Sequence, residues 1–139
     1  MVDPVRVVRN VAQHVAEDGG QGGPKLHLLV PSSLPKAVAD ATMLETALLR
    51  LVRNRALDSN PGSWLSLSAR SAGTGADRRV LLSVVDRRSE EVDLLDGELE
   101  PEPKLVRAAV SALGGDLLTW SSADVGRVTT IALPVVDPD

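Results

Sequence analysis

The stretch LLSVVDRRSEEVDLLDGELEPEPKLV (residues 81–106) concentrates the chemistry of this chain. An apolar run reads into Asp86. Two arginines follow, and then seven acidic residues pass before the next base at Lys104. A carboxylate at a strand end can accept hydrogen bonds from a ligand, or it can cap the turn that follows it. The acidic run has the character of a solvated, lid-like loop. It lacks the Asp/Asn-rich pattern with a central glycine that a calcium loop requires. The two histidines, His14 and His27, fall on separate predicted elements, and no spacing joins them to carboxylates as metal ligands. No Gly-x-Ser-x-Gly and no Ser/His/Asp arrangement is present. Cysteine is absent, which excludes disulfides, thiol chemistry and a Cys-based zinc site.

The elements that position these residues must come from a modest chain. Its 139 residues suit one domain, over 1–139. A domain of that size buries roughly 68% of its unfolded surface. Hydrophobic residues make up 43% of the sequence and the mean hydropathy is +0.03, which is a globular composition. The aromatics are Trp64 and Trp120 alone, so the core must be built of Val, Leu and Ala. The net charge is −4, and aromatics to stack bases are nearly lacking, so nucleic acid is not an expected partner. No apolar run reaches the ~20 residues of a membrane span, and the N-terminus has no apolar signal core. This segment is expected to be cytoplasmic and to make no membrane contact.

Residues 4–18 place Val5, Val8, Ala12 and Val15 at helical steps, with Asp3 as N-cap and Pro4 in the first turn. GGQGGP (19–24) ends that helix. KLHLLVP (25–31) reads as a strand. Residues 40–59 read as a helix with Met43, Leu44, Ala47, Leu48, Leu51 and Val52 on one face. After an Asn-Pro-Gly turn (60–62), SWLSLSAR (63–70) alternates as a half-buried strand. SAGTGADRR (71–79) reads as a hairpin loop, and VLLSVVD (80–86) as the next strand. Residues 103–115 form a helix with Leu105, Val106, Ala109, Val110 and Leu113 inside, closed by a Gly pair. DLLTWSSA and RVTTIALPVV are the last strands, joined by a turn around Gly126. The order α β α β β α β β predicts an α+β fold. It is a two-layer α/β sandwich, with a mixed five-stranded sheet carrying three helices on one face.

These words, in this order, resemble the ATP-binding catalytic domain of sensor histidine kinases, within the histidine kinase/Hsp90-like (GHKL, Bergerat-fold) ATPases. The resemblance covers nearly the whole chain. LHLLVPSSLPKAVADATMLETALLRLVRNRALDS resembles the family's first strand, loop and N-box helix. VLLSVVD resembles the strand leading into the G1 box. LVRAAVSALGGDLLTWSSADVGRVTTIALPVV resembles the helix after the G2 box and the closing hairpin.

The resemblance assigns roles position by position. The N-box asparagine that helps hold Mg²⁺ against the phosphates maps to Asn54. Around it the pattern departs: Arg50 stands four residues earlier in place of Asn or His, Arg55 in place of a small residue, and Leu57 in place of a base. The G1 aspartate that accepts a hydrogen bond from the adenine amino group maps to Asp86. The glycines that should follow are Arg88 and Glu90, which add bulk and tolerate positive φ poorly. The G2 glycines, whose N–H groups cradle phosphate at a helix start, map to Glu100-Pro101-Glu102-Pro103. Two donors are thereby deleted, and two carboxylates, Glu100 and Glu102, face the electropositive helix end. Each like-charge pair at ~4 Å costs roughly 1 kcal/mol in water, and more where shielded. Together they could cancel the ~8 kcal/mol of a micromolar ligand. Gly126 and Thr129 map to the last glycine-containing box, with Val128 where a second glycine is common.

The fold words of the resemblance therefore survive, while its ligand words are mostly overwritten. The expectation is a degenerate, kinase-like domain, a pseudokinase with no cofactor and an acidic lid-like loop at 87–103. It would dock on a protein partner: a kinase, a phosphotransfer domain or a response-regulator domain. The alternative is a divergent but active catalytic domain that binds ATP and Mg²⁺ through Asp86 and Asn54. His14 is followed by Val15, not by an acid, and is not the expected phosphoacceptor.

Overall fold

The computed structural model describes residues 1–18, 25–57, 64–87, 104–122 and 126–136. Helix α1 spans Pro4–Asp18. The Asp3 carboxylate caps it as expected, its Oδ1 accepting from the Val5 amide at 3.0 Å. Helix α2 spans Ala41–Leu57, and Asp40 caps it in the same way through the Met43 amide at 2.9 Å. Helix α3 spans Lys104–Ala112. It closes on the Gly pair: Gly114 takes φ +78°, and the Gly115 amide reaches back to the Val110 carbonyl at 3.0 Å. Gly115 has a second reason to lack a side chain. A Cβ there would lie 2.7 Å from the Ala132 carbonyl oxygen on the sheet beneath.

The strands are β1 (Lys25–Leu29), β2 (Trp64–Ala72), β3 (Arg79–Arg87), β4 (Asp116–Ser122) and β5 (Gly126–Pro134). They form one sheet in the order β1-β2-β3-β5-β4. The β1–β2 pair is parallel and the others are antiparallel, so the sheet is mixed as the element order implied. The helices cover one face. α1 touches β1, β2 and β3, α2 packs between α1 and α3 and over β3, and α3 leans on β4. The result is the predicted α+β two-layer sandwich.

The core is aliphatic, as a chain nearly without aromatics requires. Leu65, Leu67 and Ala69 of β2, Val80, Leu82 and Val84 of β3, and Ile131 and Leu133 of β5 face Leu44, Leu48, Leu51 and Val52 of α2. The opposite face is more polar, with Ser66, Ser68, Ser83 and Thr130 on it. Ser83 and Thr130 share a hydroxyl hydrogen bond of 2.8 Å across β3 and β5.

Several boundaries and faces differ from the expectation. β2 and β3 run past the predicted loop to pair Ala72 with Arg79, because backbone pairing continues until the glycines of the turn. Arg87 is the last residue of β3 and not the first of the acidic loop. Gly126 opens β5 opposite Ser122; the turn it was assigned to, residues 123–125, lies outside the described residues. In α1 the buried residues include Val7 and Val11 beside Val5 and Val8, since this helix meets both α2 and the sheet. Met43 is exposed at the start of α2. One feature had no sequence signal. Ala37 bridges Val2 on one side and Val135 on the other, a clasp that ties both ends of the chain to the segment before α2.

Candidate functional site

Strand parity decides what reaches the helix-covered face. On β3 the residues Val80, Leu82, Val84 and Asp86 alternate onto it. On β5 the matching positions are Leu133, Ile131, Thr129 and Arg127. The face is therefore apolar until its last two rows. One row crosses Leu67, Val84 and Thr129; the final row crosses Leu65, Asp86 and Arg127. This polar end lies where β3 runs out toward residues 88–103 and where α2 brings its last turns.

Asp86 has no exposed surface, and Arg127 is 3% exposed. They are directly opposed residues of neighbouring strands, and the Arg127 Nη2 makes an ion pair with the Asp86 Oδ2. A carboxylate buried this deeply needs such a counter-charge, because removing an ion from water without one costs several kcal/mol (roughly). Asp86 is thus more than a turn-capping residue: its oxygen accepts from a guanidinium across the sheet.

A second arginine closes the same end from the helix side. Arg55 of α2 is 1% exposed. Its Nη2 donates to the Thr129 Oγ1 at 2.9 Å, and its Nη1 to the Asn54 Oδ1 at 3.2 Å. Thr129 sits two residues from Arg127 on the same face of β5, so both guanidinium groups share one neighbourhood with the Asp86 carboxylate. Among the described residues, Arg55 and Arg127 bring positive charge to that neighbourhood and Asp86 brings negative charge.

Asn54, Asp86 and Thr129 therefore do converge, and Gly126 begins the strand that carries Arg127. Arg88, Glu90, Glu100 and Glu102 lie outside the described residues. His14 and His27 are exposed on α1 and β1; His27 stands one register position from the Leu65–Asp86 row, but its parity puts it on the opposite face of the sheet. Among the described residues no group of His, Cys, Asp and Glu is placed to hold a metal ion, and no helix is long and apolar enough to cross a membrane. In the sequence Arg55 stands out only as a departure from a small residue, and Arg127 carries no local signal at all. Its inward parity on β5 has meaning only once the register against Asp86 is known.

No protein-family model matches the sequence, and no curated protein does either. Solved structures do match in three dimensions. The mycobacterial sensor histidine kinase MprB superposes with a TM-score of 0.73 at 18% identity, over 98% of this chain and 97% of that one. The catalytic domain of histidine kinase ThkA gives 0.73 at 15% identity, over 96% and 94%. The ATP-binding domain of PrrB from Mycobacterium tuberculosis gives 0.72 at 21% identity, over 97% and 96%. At these identities the likeness is one of fold: this chain has the fold of histidine-kinase ATP-binding domains.

Proposed function

We propose that this histidine-kinase-like fold serves as a non-catalytic, protein-binding regulatory module in two-component-type signalling, and that it does not bind ATP productively. The observation that carries the reading is the buried Asp86–Arg127 pair. In the resemblance, that aspartate accepts from the adenine amino group. Here the base would have to displace a guanidinium already bound to it. Removing one partner from a buried ion pair costs about 3–5 kcal/mol, whereas a hydrogen bond to a charged group returns about 1.5–3 kcal/mol. The exchange is unfavourable before the phosphates are considered. The glutamates and prolines at 100–103 push the same way by chemistry alone. The partners that suit such a module are a kinase, a phosphotransfer domain or a response-regulator domain, met in the cytoplasm.

Calorimetric titration with ATP–Mg²⁺ and with ADP tests the reading. The expected result is no saturable heat; micromolar affinity overturns it. A second reading, a divergent but active kinase domain, draws on the convergence of Asn54, Asp86 and Thr129 at one end of the sheet. It requires phosphate transfer to an added acceptor helix pair, abolished by Asp86→Asn.

A further inference from the structure

We propose that Arg127 is a built-in occupant of the Asp86 position, and that its guanidinium excludes a flat N–H donor ligand of the adenine class. The proposal rests on the reading above, of a domain that does not take up ATP. It adds what class of molecule would enter if that side chain were shortened.

The chemistry of the two occupants is shared. A guanidinium is planar and directs N–H donors in its plane toward a carboxylate. The amino edge of adenine is also planar and also directs N–H toward an acceptor. Arg127 is tethered one strand away, directly opposite Asp86, so it meets the carboxylate without the loss of freedom that a diffusing ligand suffers. Its side chain is buried with that of Asp86, so the two fill the space they share. Arg55 repeats the arrangement beside it. The Asn54 amide oxygen, which the resemblance gives to a metal ion, accepts from the Arg55 Nη1. Each of the three retained polar positions, Asn54, Asp86 and Thr129, thus has an arginine of this chain upon it.

Shortening Arg127 leaves a cavity, because packed surroundings relax only in part. That cavity has a carboxylate in its wall, so it favours a planar donor over an apolar molecule. Adenosine is the apt probe, since it carries the adenine amino edge without phosphates. Methylguanidinium is the control for simple refilling.

The experiment melts the wild type, Arg127→Ala and Asp86→Asn/Arg127→Ala with and without each compound. The wild-type Tm is expected to stay where it is. The Tm of Arg127→Ala is expected to rise by about 5 °C with either compound at roughly ten times its Kd, and the rise is expected to vanish in the double variant. No rise in Arg127→Ala overturns the proposal and leaves the reading of the wild type standing. A rise with methylguanidinium alone also overturns it, since Arg127 is then a structural partner and nothing more. A wild-type rise with adenosine overturns the reading on which the proposal rests. If Arg127→Ala does not fold unaided, soluble yield on refolding is read instead. Recovery with adenosine supports the proposal, and its absence overturns it.

Discussion

Asp86 and Arg127 face each other across β3 and β5 at the polar end of an otherwise apolar sheet face, with 0% and 3% of their surfaces exposed. A pair so placed is held by mutual need: each side chain makes the burial of the other tolerable. It stabilises the fold less than its closeness suggests, because both charges were well solvated before folding.

Removing one member is therefore expected to hurt far more than removing both. Arg127→Ala or Asp86→Ala alone should lower stability by about 3–5 kcal/mol, while Asp86→Leu/Arg127→Met should lie close to wild type or above it. Urea denaturation of the three variants checks this, and a double variant weaker than either single one would refute the account.

Arg55 joins α2 to β5 through Thr129. Arg55→Ala leaves the buried Thr129 hydroxyl without that donor and is expected to cost about 1–3 kcal/mol. Arg55→Lys should recover little of it, because an ammonium lacks the planar fork that meets Thr129 and Asn54 together. Thermal melts of the two variants give the comparison.

Gly115 passes close over the Ala132 carbonyl. Gly115→Ala puts a methyl group where backbone stands, and overpacking of this kind typically costs about 1–3 kcal/mol. The effect should appear as a lower midpoint in urea with an unchanged slope, since the packing of α3 on β4 and β5 suffers while the extent of the fold does not.

Asp40 caps α2 from an exposed position. Asp40→Ala should cost about 1 kcal/mol, and Asp40→Asn much less, because the amide oxygen can still accept from the Met43 N–H. A loss as large for Asn as for Ala would point to charge, and not to the cap hydrogen bond.

Much of this fold is legible in the residues because the local signals agree with one another. Asp3 precedes apolar residues at helical spacing and caps α1 as read, while Asp40, read as the first residue of the second helix, stands just outside α2 and caps it. The alternation in WLSLSAR places Leu65 and Leu67 inward, as found, and VLLSVVD forms a strand as its apolar run implies. Gly114-Gly115 ends α3 where the pattern stops. The site was legible only in outline. Asp86 was visible as a strand-end carboxylate, but its partner lies 41 residues away, and register links them only after β5 is laid beside β3. Arg55 misled for a different reason. An arginine on a helix normally sends its charge to water, and nothing local announces that this one turns inward to a threonine on β5. Met43 erred the other way, lying at an apolar position of the period but exposed in the first turn of α2.

The clasp at Ala37 bears on how the chain may be cut and rejoined. Val2 and Val135 flank the same residue, so their backbones lie about two strand spacings, or roughly 10 Å, apart. A few residues suffice to join them. New termini could then open at the exposed Thr74 between β2 and β3, and such a circular permutant would retain every strand pairing and helix cap described above. For the same reason, a host protein carrying this domain as an insert would be interrupted at a single point on its surface.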